Sequence, residues 1–244
     1  MASLIRFLSM STVILTLGAC GGGGGGGGGS SSGSTTVISS LTFPFAQAFA
    51  DFVANSHSFN YSMTGSDAGT TATGSGTIFY GAAVGATFES QSGLSQTAVI
   101  SGTTTENGQN SPYTVSVQSF YTTNYEPLGS SSATDYCVVQ VTPALPSGVK
   151  VGDKADLYVE DCYKDNTKGT KTSQDTNSYS VEADTASTAI VNLISTSRSP
   201  TLGSVMSTDE DRYRIDQSGN FTWVSETYTD YTTTPLSSLK FTAQ

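Results

Sequence analysis

The chain has one histidine, His57, and three cysteines in 244 residues. A hydrolytic triad needs a nucleophile, a base and a third group that orients the base. No such set is marked: the one G-x-S-x-G match, Gly29 to Gly33, falls in a Gly/Ser-rich run rather than at a strand-to-helix elbow, and no H-E-x-x-H pair occurs. Two cysteines in the body without nearby histidines fall short of a zinc set. Charge is also scarce, at 12% of residues, and basic charge is scarcest: ten Lys and Arg face twenty Asp and Glu, for a net charge of −10. Such a chain repels nucleic acid and anionic headgroups, so neither is expected as a partner. No catalytic residue, metal ligand or cofactor is assigned on these grounds.

Among what is present, the first 20 residues are the most specific. One basic residue, Arg6, precedes an apolar run from Met10 to Leu17. That run is too short for the roughly 20 residues that span a bilayer, and it fits the h-region of a secretory signal. Leu17-Gly18-Ala19-Cys20 resembles the lipobox of bacterial lipoproteins: an apolar residue, two small residues, then cysteine. The resemblance implies a thioether diacylglycerol on Cys20, cleavage before it, and acylation of the new amine. Two or more acyl chains hold a protein stably on a membrane where one barely does. Gly21 stands where, in that family, an Asp signals inner-membrane retention, so the resemblance implies the outer membrane, facing the periplasm or the cell exterior. From Cys20 onward nine basic residues face twenty acidic ones, a net charge of −11.

Three segments follow: a signal peptide over 1–19, a Gly/Ser-rich tether over 20–40 and a globular domain over 41–244. Gly-rich chain of this length has a typical reach of about 25 Å and a fully extended span of roughly 65 Å. Serine and threonine are abundant, about 30% of the whole chain, and 12 Tyr and 11 Phe accompany them, all but Phe7 in the domain. Thr, Tyr, Phe and Val favour a pleated, half-buried surface, whereas disorder would be richer in charge and poorer in aromatics. Cys137 and Cys162 are read as a disulfide, because an exported chain meets an oxidising compartment; two buried thiols are the alternative.

One helix is expected, in "TFPFAQAFADFVANS". Thr42 is read as its cap and Pro44 as part of its first turn. Phe45, Phe49, Phe52 and Val53 form one apolar stripe, and Asn55 to Ser58 end it. His57 then falls where a cation favours the C-terminal end of the helix dipole.

Strands fill the rest. "FNYSMTGS" puts Phe59, Tyr61 and Met63 on one face. Asn107-Gly108 is a two-residue hairpin signal, with Tyr113, Val115 and Val117 alternating after it. "TDYCVVQV" and "KADLYVEDCYKD" carry the two cysteines, "DTAS" reads as a turn, and "EDRYRIDQSGNFTWVSETYTDY" reads as a hairpin. Turn signals every eight to twelve residues are the spacing of all-β sandwiches and barrels. The expected fold is mainly β: a single domain with one N-terminal amphipathic helix on a large curved antiparallel sheet. A half-open barrel is the first form of that sheet, by analogy with lipoprotein carriers, and a two-sheet sandwich the second.

Three stretches suggest chemistry and are weighed against plainer roles. "TGSGT", Thr73 to Thr77, lacks the Lys-Ser/Thr pair of a phosphate loop and reads as a turn or bulge. Asp209, Glu210, Asp211 and Asp216 suit a hard cation but lack the spacing and glycine of a calcium loop; they read as a solvated loop screened by Arg212 and Arg214. Asp161 and Asp165 read the same way. The tyrosines among polar residues (Tyr80, Tyr121, Tyr125, Tyr158, Tyr163, Tyr228 and Tyr231) suit cavity mouths and interfaces as well as a wet sheet surface. The functional expectation is a membrane-anchored, non-enzymatic module of the cell envelope that binds a lipid, sugar or protein. Its rivals are a surface adhesion or coat module and an envelope hydrolase.

Overall fold

The computed structural model describes residues 39–244. The signal peptide, Cys20 and nearly all of the tether lie outside these residues. Helix α1 (Phe45–Ala54) is followed by thirteen strands: β1 His57–Asp67, β2 Thr70–Tyr80, β3 Val84–Phe88, β4 Gln91–Glu106, β5 Gln109–Tyr121, β6 Pro127–Ser131, β7 Tyr136–Val139, β8 Lys154–Tyr163, β9 Lys171–Ala183, β10 Thr188–Arg198, β11 Val205–Asp216, β12 Phe221–Asp230 and β13 Ser237–Ala243.

The strands form one antiparallel sheet in which β13 joins β1 to β12, and β2 pairs with β4. That last pairing closes twelve strands into a barrel and leaves β3 as a flap on β4. Closure is what the sequence left open between a half-open barrel and a sandwich. It requires close approach along one line. A Cβ at Gly76 would lie 2.0 Å from the Ser101 carbonyl and 2.6 Å from the Tyr61 hydroxyl, and one at Gly102 would lie 2.4 Å from the Ser75 carbonyl. The "TGSGT" stretch is therefore neither a turn nor a bulge but a paired strand with no register shift. Its glycines make room for Tyr61 and Met63, the close-approach role of glycine in strands.

The apolar stripe of α1 seals one end of the barrel. Phe45, Ala48, Phe49, Phe52 and Val53 are buried, while Gln47 and Asp51 face solvent. Phe52 sits at the centre of an aromatic cluster, 4.4 Å from His57, 5.1 Å from Tyr80, 5.4 Å from Tyr213 and 6.0 Å from Phe221 between ring centroids. Phe45 packs on Tyr179 and Phe49 on Tyr121. Gln96 Nε2 donates to the Val53 carbonyl at 3.2 Å, satisfying one of the orphan acceptors at the helix end. Thr42 does not cap the helix: Pro44 occupies the N-cap position, without a side-chain cap. Pro44 instead supplies the carbonyl for the first turn, to Ala48 N at 2.9 Å.

Strand periodicity fills the interior. Tyr61 and Met63, Val117, Tyr213 and Ile215, Phe221 and Trp223, and Leu239 and Phe241 all point inward and are buried. Asn107 and Gly108 both take positive φ in the β4–β5 turn, as a tight hairpin requires. The outer wall is mostly hydroxyls and amides. On β1 and β2 its residues are Ser58, Asn60, Ser62 and Thr64, and Thr71, Thr73, Ser75 and Thr77. That is not the apolar band a membrane barrel turns to lipid. No helix among the described residues is long and apolar enough to cross a membrane. The β3 flap covers a patch of the wall, with Phe88 stacked on Phe120 at 4.3 Å and Tyr136 donating to Glu89 at 2.7 Å.

Candidate functional site: an acidic chamber at the far end of the barrel

The barrel interior has two tiers. Under α1 it is mainly aromatic, with Gln96, Asp211 and Glu226 bordering the same space. Toward the other end, inward positions on β8 to β12 become small and acidic: Glu160, Asp175, Ser195, Ser197, Ser207, Asp209, Asp211 and Glu226. The register places Ser197 beside both Asp175 and Ser207, Ser195 beside Asp209, and Asp209 beside Tyr228. Glu160 is 3% exposed, Asp209 4% and Asp211 6%. The ion pairs Lys168–Glu89, Lys171–Asp161, Arg212–Glu182 and Arg214–Asp184 all lie on the outer wall or its turns, and none involves Glu160, Asp175, Asp209 or Asp211.

Local partners differ from one acid to the next. Asp211 accepts from Trp223 Nε1 at 3.2 Å. Asp175 accepts from Ser197 Oγ at 2.8 Å, and Glu160 accepts weakly from Asn177 Nδ2 at 3.5 Å. No side-chain donor reaches either oxygen of Asp209, and the backbone N–H of Glu210 is what opposes its raised pKa. Burial dominates the electrostatics. It raises the Asp211 carboxyl to about 7 against the pull of the Trp223 N–H. It raises Asp209 well above the usual carboxylate range, with Glu226 and Asp211 adding repulsion. It does the same to Glu160, where Asp175 adds repulsion and Asn177 opposes it. Asp175 is raised too, with Ser173 and Ser197 opposing. A buried acid without a protein cation is kept neutral by its proton or charged by a bound cation.

Of the small spaces within the barrel, two bear on the site. One, of about 20 Å³, is the acidic chamber, lined by Glu160, Asp175, Asp209, Tyr228 and a set of serines, with Ser132 and Asp135 of the β6–β7 turn among its lining. The other, of about 50 Å³, lies beneath α1 among Phe52, Tyr80, Tyr121 and Tyr213. Neither holds a sugar ring or an acyl chain.

No family model, curated protein or solved structure matches the chain. Its chemistry is therefore read from the geometry alone.

The acidic run around Asp209 is not a solvated loop. It is strand β11, and its alternation sends Asp209 and Asp211 inward and Glu210 and Arg212 outward. Arg212 and Arg214 do not screen the inward acids; they pair with Glu182 and Asp184 across the outer wall. Asp216 closes the β11–β12 turn by accepting from Asn220 and Ser218. Asp161 pairs with Lys171 outside, and Asp165 accepts from Thr167 in an exposed turn. Cys137 and Cys162 oppose each other on β7 and β8, and their disulfide forms part of the chamber wall. Of the seven tyrosines singled out, Tyr80, Tyr121, Tyr158 and Tyr228 line the interior, whereas Tyr231 is 47% exposed. His57 Nε2 lies 3.2 Å from the Phe52 carbonyl, at the helix end where the sequence placed it. Burial lowers its pKa, however, so the ring stacks on Phe52 in the neutral form rather than serving as a cation.

Glu160 and Asp175 were missed in the sequence. They lie 15 residues apart on separate strands, and only the β8–β9 register unites them. The signal around Asp209 was legible: acids at every second position, followed by Tyr213 and Ile215 in the same phase.

Proposed function

We propose that this chain is a lipid-anchored, non-enzymatic module of the bacterial cell envelope that meets a partner with its outer surface rather than enclosing a ligand. The observation that carries this reading is the filled barrel. Its interior spaces of about 20 and 50 Å³ fall far short of the 300–1,000 Å³ that small-molecule sites occupy, and the hollow that does reach that size, a groove of about 320 Å³ between α1 and the β11–β12 turn, is open to the outer surface and lined by a single acid, Asp51. A carrier needs a hollow and a hydrolase needs an open cleft around its acids. Here the perturbed acids are enclosed.

The placement of the chain ends supports the anchor. The described chain enters beside α1, where Phe43 bridges Val149, and the chamber lies at the opposite end. An anchor at Cys20 would therefore reach the body from its helix-capped end, through a tether whose typical span of about 25 Å leaves the far end free to meet a partner. On that far end Leu202 is 80% exposed, Tyr231 47% and Leu236 45%. They sit on two neighbouring turns, where a partner protein would cover them.

Native mass spectrometry of the chain isolated from its host membranes tests the reading. The expected mass is that of the acylated chain from Cys20 with no organic ligand. A lipid or sugar retained one-to-one would overturn the surface-binding mode. Separately, Cys20→Ser is expected to move the protein from the membrane fraction to the soluble one; continued sedimentation with membranes would overturn the anchor.

A further inference from the structure

The acidic chamber is built for something the chain itself does not supply. Carboxylate oxygens of Glu160 and Asp175 lie within 4.8 Å of each other, the span that one cation bridges. Asp209 lines the same chamber, is 4% exposed, and has no side-chain hydrogen-bond partner on either oxygen. A buried carboxylate left unsatisfied is costly unless something compensates it, so the aim of Asp209 into the chamber is a second sign of a ligand, independent of the Glu160–Asp175 pair.

We propose that this chamber binds one divalent hard cation of calcium's size, held directly by the carboxylates of Glu160 and Asp175, with Asp209 facing the ion from across the chamber, beyond the span of that pair, and adding negative charge. The donor chemistry selects the class. Every available ligand is oxygen, from carboxylates and the serine hydroxyls around them. The one sulfur in the cluster, Cys162 Sγ, is committed to the disulfide and offers no thiolate. That set suits calcium or magnesium rather than zinc or copper. Size then divides the two. A space of about 20 Å³ holds about one water or one ion. Magnesium keeps several of its waters and demands a near-ideal octahedron, whereas calcium accepts irregular oxygen cages. Asp135, half-buried in the β6–β7 turn, places a further carboxylate on the chamber wall. The bound ion ties β8 to β9 and attracts β11 by charge across the intervening β10.

The purified protein, stripped with chelator and dialysed, is titrated with calcium by calorimetry and with terbium by luminescence. Tyr228 lines the chamber and serves as the light-absorbing donor. The expected results are one calcium per chain, a melting temperature that rises with calcium concentration, and terbium emission that calcium displaces at least tenfold more effectively than magnesium does. Asp209→Asn and Glu160→Gln keep shape and volume and are expected to weaken calcium binding tenfold or more. Asp165→Asn, on an exposed turn, is expected to bind as the parent does. The proposal is overturned if the parent binds no calcium at millimolar concentration, which would mean that the acids stay protonated. It is equally overturned if both chamber variants bind as the parent does, or if magnesium displaces terbium as well as calcium.

Discussion

Truncating Phe52 to alanine tests whether α1 is an integral plug or an accessory. The side chain is 6% exposed and has ring neighbours on β1, β2, β11 and β12 as well as His57. Removal of a buried phenyl costs the transfer energy of its carbons plus a cavity term, together about 3–5 kcal/mol. The upper half of that range is expected here, because the site already borders a space of about 50 Å³ and its walls are paired strands that cannot collapse inward. For a domain of this size each kcal/mol lowers Tm by about 2–4 °C, so Phe52→Ala should melt roughly 10 °C below the parent. Urea unfolding followed by fluorescence is suited to the measurement, since Trp223 is the single tryptophan and is 1% exposed. Gln47→Ala, on the solvent side of the same helix, should stay within about 0.5 kcal/mol. A loss below about 1 kcal/mol for Phe52→Ala would refute the reasoning, because the barrel would then close and pack without its plug.

Gly76→Ala should destabilise by about 2 kcal/mol or more, since the new methyl meets the Ser101 carbonyl at 2.0 Å. Gly85→Ala, with nothing within 4 Å, should be close to neutral; equal melting temperatures for the two would contradict the close approach that closes the barrel. Replacing Cys137 and Cys162 together by serine opens a 25-residue loop and should cost about 3.5 kcal/mol in the chain-entropy model, as read from urea midpoints. His57 bears on pH. Its pKa is lowered in the fold by burial, so the unfolded chain binds the proton more tightly and stability is lost as pH falls below about 6.5. His57→Phe keeps the stacking and removes that loss; the stability difference between parent and variant should therefore shift against the parent from pH 7 to pH 5.5, and a constant difference would count against a buried neutral ring.

Much of the fold was legible because alternation is a local property. Tyr61 and Met63, Tyr213 and Ile215, and Phe221 and Trp223 announce their inward faces, and the stripe of α1 needs only its own ten residues. The helix start was misread because Thr42 looks like a cap, while Pro44, two residues on, sets the boundary. "TGSGT" was misread because glycine commonly marks a turn; here its meaning lies in Tyr61 on one neighbouring strand and Gly102 on the other. The chamber was half legible. Asp209 and Asp211 declare a common face once β11 is seen to run through them, but the phase was masked by Glu210, Arg212 and Arg214 on the other face, which make the run look uniformly charged. That Glu160, Asp175 and Asp209 share one space follows from the registers of four strands, and no single segment holds that information.

The seam of the barrel sets the order in which it can be completed. Among the described residues β13 comes last in chain order, and it alone joins β1 to β12; its pairing ends where Gln244 N donates to the Asn60 carbonyl. Hairpins such as β4–β5 and β11–β12 can form as soon as their own residues exist, but the ring stays broken until the last seven-residue strand is in hand. A growing or truncated chain therefore carries two bare sheet edges, at β1 and β12, each a template for pairing with another copy. Loss of β13 alone would convert a sealed molecule into a sticky one, and the time spent in that open condition scales with how long β13 takes to dock between β1 and β12.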